Sequence, residues 1–256
     1  MPPTATTPAS APAPASGFPD VRRPDAGTVL ISPWVVPAAR FQRAAADAVL
    51  AAWEEQQRPA AMLALTTFLS TDGGHVLNYA QWTDDAAHRE WVRTRRPAAI
   101  APIDQTIPGI RRPGLIRYRR YRSHVAQERA ARTPAFLVTP TFATTGPEAQ
   151  RTLADTVFRM VAEEPVPGLL GAHFHLSQDG GRVLNYGEWV DASAWRAFAA
   201  GAAAAGLRAA IEALPGVAPA PAVPLDDTGA GTPGVPDVPG YVLHRSLVNV
   251  PPPGRG

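Results

Sequence analysis

The heptapeptide V-L-N-Y-A-Q-W at positions 76–82 occurs again as V-L-N-Y-G-E-W at positions 183–189, an offset of 107 residues. Aligned without a gap, residues 67–82 and 174–189 share 10 of 16 positions. Chance does not produce a match of this length, so the chain is a tandem duplication of one structural unit. Each copy of about 100 residues has the size of an ordinary small domain.

Both halves predict the same order of elements around the duplicated segment. First-half strands are predicted at 28–36, 62–69, 76–82 and 115–121, and helices at 38–57 and from a Thr83 cap to Pro97. Second-half strands are predicted at 136–142, 169–177, 183–189 and 240–250. Its helices are predicted after a capping box at 145–148 and at 192–214, with a break near Gly201 or Gly206.

This β-α-β-β-α-β order is the ferredoxin-like arrangement, in which both helices cover one face of a four-stranded sheet. The other face stays bare, and the second copy can cover it. The sequence therefore predicts an α+β protein of two tandem ferredoxin-like repeats packed as an internal pseudo-dimeric α+β barrel. Further association into a homodimer is left open.

Composition divides the chain into the two repeats and their connecting segments. The predicted organisation is a disordered Pro/Ala-rich tail at 1–26, a first domain at 27–124, a linker at 125–133, a second domain at 134–250 with a Pro/Gly-rich insertion at 215–239, and a disordered tail at 251–256. The amino-terminal stretch has neither the basic nor the apolar region of a secretory signal, so a cytoplasmic protein is expected.

Charge and cysteine usage exclude several classes of function. The chain has 24 basic and 22 acidic residues, a net charge of +2, which predicts no attraction to nucleic acid or to anionic membranes. Cysteine is absent, so disulfides, thiolate metal sites and cysteine nucleophiles are excluded. No apolar run approaches the length that spans a membrane. A run of arginines predicts a solvated strand edge or ion pairs between the halves; its members are Arg111, Arg112, Arg117, Arg119, Arg120 and Arg122.

Within each duplicated strand, an asparagine and a tryptophan are four residues apart and so share one face of the sheet. These pairs are Asn78 with Trp82 and Asn185 with Trp189. Both side chains carry hydrogen-bond donors. The small residue between them, Ala80 or Gly187, leaves room for a flat ring or for a packed helix. The alternative reading is structural, with the asparagine closing a bulge and the tryptophan filling the core.

The turn S-T-D-G-G at 70–74, followed by V-L-N-Y-A-Q-W-T at 76–83 and a helix, resembles the antibiotic biosynthesis monooxygenase family. The resemblance covers residues 28–121 and 135–250. It implies ferredoxin-like units paired into an α+β barrel, and action on aromatic polyketides with dioxygen and without a metal. The tandem form also resembles the ring-opening oxygenases of angucycline pathways, which use reduced flavin.

The resemblance to the anthrone oxygenases of this family implies that Asn78, Trp82, Asn185 and Trp189 bind and activate the substrate. A phenolic substrate must lose a proton to become an anion that passes an electron to dioxygen. Donors aimed at that oxyanion stabilise it most strongly where water is excluded. Those oxygenases also use a tyrosine further along the chain, and neither repeat has one there.

Other aromatic side chains and two histidines complete the predicted substrate site. Trp34, His88, Trp91 and Trp195 are predicted to line it, with a structural role in the core as the alternative. His173 and His175 alternate on one strand and are candidates for substrate binding or general-base chemistry, or for a polar sheet face. Because the first repeat has no such histidines, the second is favoured as the working site.

No tightly bound cofactor is expected, and no metal, because the sequence places no third ligand beside His173 and His175. Haem is disfavoured because the first strand offers Ser32 and Trp34 rather than the asparagine of haem-degrading relatives. Reduced flavin with a flavin reductase partner is an expected source of electrons. The predicted function is a polyketide monooxygenase that forms quinones, hydroxylates or opens rings. Two alternatives stay open: an aromatic polyketide cyclase of the same fold, and a non-catalytic ligand-binding or assembly protein.

Overall fold

The computed structural model describes residues 13–15, 17–55, 59–221 and 238–249. The first half contains β1 (Ala13–Ala15), β2 (Thr28–Val35), α1 (Gln42–Glu55), β3 (Met62–Ser70), β4 (His75–Trp82), α2 (Asp85–Thr94), α3 (Arg96–Thr106) and β5 (Ile116–Val125). The second half contains β6 (Phe136–Val138), β7 (Thr141–Thr144), α4 (Pro147–Glu163), β8 (Leu169–Ser177), β9 (Arg182–Trp189), α5 (Ala192–Ala200), α6 (Ala202–Glu212), β10 (Val217–Ala220) and β11 (Gly240–Val248). Short 3-10 turns lie at Ala39–Phe41 and Gln127–Ala130.

Eight antiparallel strands close into one barrel in the order β11-β3-β4-β2-β5-β8-β9-β6, with β6 returning to β11. The helices of each half lie outside it. The α+β barrel predicted from the duplication is therefore confirmed. Closure removes the bare sheet faces and the free strand edges together.

The last strand of each half joins the two halves. Tyr118 of β5 stands opposite Val29 of its own half, and it also stands opposite Ser177 of the other half. From there β5 continues along β8 to Val125. β11 repeats this arrangement, pairing briefly with β6 and then along β3 of the first half. The halves are thus connected by shared hydrogen-bonded strands as well as by packing.

The duplicated hairpins are held by the same contacts in both halves. Gly73 and Gly180 adopt φ values of 78° and 79°, the left-handed conformation that the tight turn requires. Gln42 of α1 donates from Nε2 to the carbonyl oxygens of Ser70 and His75, at 2.9 and 2.7 Å. Gln150 of α4 makes the equivalent bonds to the second hairpin. Each buried glutamine thereby fixes its helix against the end of the hairpin.

Side chains pack in three clusters. One fills the barrel and combines residues of both halves, including Phe68, Tyr79, Leu137 and Tyr186. The other two lie between the outer barrel face and the helices, one in each half. Because successive side chains of a strand point to opposite faces, Tyr79 enters the barrel while Asn78 and its equivalents face the helices. This alternation decides which residues reach the lateral cavities.

Several predicted boundaries are corrected by local geometry. Asp84 rather than Thr83 caps α2, because its carboxylate accepts the backbone N–H of Ala87. The helix ends at Thr94, before the predicted limit at Pro97. Pro97 itself lies in the first turn of α3, a second helix that the sequence did not predict. A proline in a first turn sacrifices no intrahelical hydrogen bond. Of the two predicted break points, Gly201 is confirmed, since α5 ends before it and α6 begins after it, whereas Gly206 lies within α6.

The second half departs from the predicted pattern at its beginning. The strand predicted at 136–142 is divided into β6 and β7 because Pro140 lies between them. Gly146 occupies the cap position of α4 and provides no side-chain bond, so the predicted capping box does not form.

Residues 17–26 pack against the barrel rather than forming part of a disordered tail. Val21 is buried with the barrel cluster, and Phe18 makes an edge contact with Phe68 at 5.4 Å. Part of the predicted insertion forms β10, which pairs with β7. The remaining stretches of the predicted tails and insertion, at 1–12, 16, 222–237 and 250–256, lie outside the described residues. Across the part of the chain that the structure describes, no helix has the length and apolar character needed to cross a bilayer.

Candidate functional site

Each half has a cavity, open on one side, between its helices and the outer face of the barrel. The N-terminal cavity, lined by residues including Asn78, Trp91 and Arg112, has a volume of about 360 Å³. The C-terminal cavity, lined by residues including Asn185 and Trp195, has a volume of about 560 Å³. Both volumes fall in the range of small-molecule sites, and the larger cavity is mainly apolar.

The Asn–Trp pairs present buried polar atoms that the described residues leave unpaired. The indole nitrogens of Trp82 and Trp189 have no hydrogen-bond acceptor there, although both rings are buried. The Oδ1 atoms of Asn78 and Asn185 also lack a donor among the described residues. An unsatisfied buried polar group costs about 1–3 kcal/mol, so such groups recurring at the same positions in both halves call for an explanation.

The pairs are placed differently with respect to the cavities. Asn185 and Trp189 both line the C-terminal cavity. Asn78 lines the N-terminal cavity, whereas Trp82 lies behind its wall and contacts His88 and Trp91 at ring distances of 5.0 and 5.9 Å. Of the two pairs, the one in the second half presents both members to the cavity.

Aromatic rings form much of both walls. Trp34, His88 and Trp91 line the N-terminal cavity, and Trp195 lines the C-terminal one. The structure therefore brings these predicted residues to cavities, and their binding of substrate stays a prediction. Phe198 was not singled out from the sequence, although it follows Trp195 by three positions on the same helix face. Its ring lies 5.4 Å from that of Trp189.

Gly187 leaves the space beside the indole nitrogen of Trp189 free of a side chain. A Cβ atom at this position would lie 3.3 Å from Nε1 of Trp189 and 3.2 Å from a methyl group of Val138. The equivalent residue in the first half is Ala80, which carries that methyl group. The glycine therefore contributes to the different shapes of the two cavities.

His173 and His175 are not in either cavity, which corrects the expectation that they line the substrate site. They lie on the inner face of β8 and point into the barrel, whereas Ala172 and Phe174 point to the cavity. Nδ1 of His173 is 2.8 Å from the hydroxyl of Ser123, and Nε2 of His175 is 3.1 Å from that of Tyr79. These histidines therefore give no reason to prefer the second half as the working site. The reason is now that both Asn185 and Trp189 line its cavity.

Burial keeps two histidines in their neutral form near neutral pH. Desolvation is the main cause that lowers the pKa of His175 to about 3, and the charge of the nearby His173 is the second cause. Desolvation is also the main cause that lowers the pKa of His88 to about 4, and the charge of Arg117 is the second cause. His88 is therefore a neutral wall residue of the N-terminal cavity. Among the described residues, no group of three or more acidic or histidine side chains is arranged to hold a metal ion.

The arginine run does not form a solvated strand edge, because β5 lies between β2 and β8 in the closed barrel. Arg117 contacts Asp85 at 2.5 Å, and Arg112 contacts Asp104 at 2.6 Å; both arginines line the N-terminal cavity. The alternative prediction was ion pairs between the halves. Arg122 of the first half forms such a pair with Asp155 of the second.

Fold and site together define a class: a tandem ferredoxin-like barrel protein with a lateral small-molecule cavity in each half. The sequence profile described as "Antibiotic biosynthesis monooxygenase" matches residues 135–210. The second half of the chain therefore carries an antibiotic biosynthesis monooxygenase domain. The internal repeat connects the first half to this matched segment.

Three similar proteins show how far the likeness extends. Tetracenomycin-F1 monooxygenase of Streptomyces glaucescens is 40% identical over 53 residues, which are 20% of this chain and 47% of that protein. The chain therefore spans about half the length of this curated relative. A monooxygenase from the gene ActVA-Orf6 of Streptomyces coelicolor, solved in complex with nanaomycin D, is 33% identical over 40% of this chain and 94% of its own, with a TM-score of 0.31. The crystal structure of an anthrone oxidase-like protein has 14% identity and a TM-score of 0.63 over 87% of this chain and 93% of its own, a likeness of fold.

Proposed function

We propose that the chain is a monooxygenase that oxidises an aromatic polyketide, with the C-terminal cavity as its active site. The observation that carries this proposal is that the buried indole N–H of Trp189 and Oδ1 of Asn185, two residues that line the same mainly apolar cavity, bond to no described residue. The family match over residues 135–210 supports the reaction type. The similarity to the tetracenomycin-F1 monooxygenase of Streptomyces glaucescens supports the substrate class.

The cavity suits a flat, weakly polar ligand. Phe142, Phe174 and Phe198 contribute aromatic surface, and Arg208 and Glu212 are the charged residues among its described lining. Burial of aromatic surface supplies most of the affinity in such pockets, while a few polar groups fix orientation. Asn185 and Trp189 are the proposed orienting groups.

We propose that oxidation begins with loss of a proton from the substrate's reactive carbon or phenol. Glu212, the one carboxylate among the described lining residues, is the proposed acceptor. The buried indole N–H of Trp189 donates to the resulting oxyanion and stabilises it in mainly apolar surroundings. The anion passes one electron to dioxygen, and the substrate radical and superoxide recombine into a peroxide.

For an anthrone, this sequence balances with dioxygen as the only oxidant. The peroxide loses its remaining carbon-bound proton and its O–O bond breaks, which leaves a carbonyl and one water molecule. A methylene group and one O₂ thus become a ketone and H₂O. Quinone formation is therefore the leading proposal, because it needs neither a metal nor an external reductant.

Hydroxylation or ring opening needs two further electrons, which reduced flavin supplies when it is bound. The described lining of the C-terminal cavity offers one cation, Arg208, to a flavin phosphate. We therefore propose that any flavin is a loosely held co-substrate delivered by a flavin reductase. The cytoplasm is the proposed location, because it supplies both reduced flavin and the flavin reductase.

Oxygen uptake with an anthrone distinguishes this function from its alternatives. The expected result is consumption of one O₂ per quinone formed, with a lower rate in Glu212→Gln. An aromatic polyketide cyclase would convert its substrate without consuming oxygen. A ligand-binding protein would bind the anthrone without turnover. Either of these results would contradict the proposal.

A further inference from the structure

We propose that the N-terminal cavity is a second binding site, separate from the proposed active site, and that it takes a compact aromatic carboxylate. Nothing in the proposed oxidation uses this cavity. It differs from the C-terminal cavity in charge, in volume and in the residues that form its walls.

The charge of the lining favours an anion. Three arginines line the N-terminal cavity, Arg96, Arg112 and Arg117, and its described lining contains no carboxylate. Asp104 and Asp85 lie outside that lining and pair with Arg112 and Arg117. No described side chain forms an ion pair with Arg96. Asp85 is also paired with Arg89, outside the lining, so the two carboxylates do not neutralise the three arginines. The net positive charge that remains on the cavity wall suits a carboxylate on the ligand.

Arg112 offers the geometry that a carboxylate needs. Its Nη1 atom contacts Asp104, while its buried Nε and Nη2 atoms have no hydrogen-bond partner among the described residues. These two nitrogens form one edge of the guanidinium group, which binds both oxygens of a carboxylate side by side. The group also lies over the ring of Trp34 at 4.4 Å, so its orientation is already set.

The walls of the cavity favour an aromatic body. Trp53 and Trp91 line it, with their ring centroids 5.6 Å apart. Oδ1 of Asn78, which bonds to no described residue, adds a hydrogen-bond acceptor. The volume of about 360 Å³ is close to the lower end of the usual range for ligand sites, which favours one or two rings rather than a polycycle.

The equivalent elements of the second half lack this arrangement. Arg96 opens α3, whereas the equivalent helix α6 opens on Ala202. Among the described residues, the charged lining of the C-terminal cavity is Arg208 with Glu212, one charge of each sign. The duplicated scaffold has therefore diverged into one apolar cavity and one cationic cavity.

Calorimetric titration of the full chain tests the proposal with 2-naphthoate as the probe and its neutral methyl ester as the comparison. We expect naphthoate to bind at least tenfold more tightly than the ester, and its affinity to fall with added salt. Arg96→Gln and Arg112→Gln should each weaken naphthoate binding by tenfold or more, because each removes a cation. Arg96→Lys should stay within about threefold of the parent, because it keeps the charge.

Arg208→Gln, in the other cavity, is the matched control and should leave naphthoate binding unchanged. Thermal melting of each variant checks that it is folded. If Arg112→Gln is unstable, the comparison of Arg96→Gln with Arg96→Lys tests the proposal on its own. Equal affinity for acid and ester, loss of binding in Arg208→Gln, or unchanged binding in Arg96→Gln would each overturn the proposal. None of these results depends on turnover, so failure here leaves the oxidation at the C-terminal cavity to its own test.

Discussion

The hydroxyl of Tyr79, from the first half, lies 3.1 Å from Nε2 of His175, from the second half, in the interior of the barrel. Nδ1 of His175 lies 3.0 Å from the carbonyl oxygen of His173 and must donate to it. A neutral imidazole has one N–H, so Nε2 is the acceptor and Tyr79 is the donor. Desolvation raises the pKa of Tyr79, which keeps the phenol protonated and the pair uncharged.

Stability should therefore fall as the solution is acidified. The folded-state pKa values of His175 and His88, about 3 and about 4, lie below the ordinary value of 6.5. Between these values the unfolded chain binds more protons than the folded protein, so lower pH favours unfolding. Each histidine should contribute up to about 1.4 kcal/mol per pH unit in this window. Urea unfolding at pH 7, 6 and 5 measures the slope, which His175→Gln and His88→Gln should each reduce. A slope equal to the parent's in both variants would contradict this.

Removing the indole donor of Trp189 should impair catalysis more than folding. Trp189→Phe keeps most of the apolar surface, and the N–H that it loses bonds to no described residue. We expect a hundred- to thousandfold fall in kcat, about 2.7–4 kcal/mol of transition-state stabilisation. The loss of stability should stay near about 1–2 kcal/mol. Asn185→Ala should likewise reduce turnover more than stability. Oxygen uptake and thermal melting measure the two effects.

The equivalent pair in the first half provides the control. Trp82 lies outside the lining of its cavity, so Trp82→Phe and Asn78→Ala should leave oxygen uptake within about threefold of the parent. If all four variants keep full activity and only melt earlier, the Asn–Trp pairs are structural and the proposed mechanism fails.

Gly187→Ala should obstruct the approach to Trp189. The added methyl group would lie 3.3 Å from Nε1, where a substrate oxygen must accept the hydrogen bond. We expect at least a tenfold loss of kcat/KM with a change in stability below about 1.5 kcal/mol. The reciprocal change Ala80→Gly alters the other cavity and should leave steady-state kinetics intact. Undiminished kcat/KM in Gly187→Ala would place the substrate elsewhere.

Residues 135–250 expressed alone should dimerise or aggregate. Without the first half, β8 loses β5 and β11 loses β3, which exposes two strand edges and the apolar barrel interior. Pairing with a second copy would restore both edges. Light scattering after gel filtration measures the outcome. A stable, well-folded monomer of this half would show that strand exchange is dispensable.

The purified chain should contain no stoichiometric iron, copper or haem, since the described residues form no cluster of three acidic or histidine ligands. Elemental analysis together with an absorption spectrum checks this. One transition ion per chain that is required for activity would overturn both this expectation and the proposed metal-free oxidation.

The spacing of apolar residues in the sequence predicted the type of most helices and strands, but it did not fix where each helix begins or ends. Helix capping shows its limit: Asp84 and Thr83 are adjacent, both are good caps, and only the observed bond to Ala87 distinguishes them. Pro97 shows the same limit, because a proline is compatible with the end of one helix and with the first turn of the next.

By itself, the sequence determined the duplication, the ferredoxin-like order and the common face of each Asn–Trp pair. These follow from repetition at a fixed offset and from the two-residue period of a strand, both of which are local properties. Only the tertiary structure decided which face of β8 holds His175, that β5 and β11 cross between the halves, and that Arg112 reaches a cavity rather than solvent. Those outcomes depend on which distant strand supplies each hydrogen-bonding partner. The residues that make such contacts are far apart in the chain, so no local pattern encodes them.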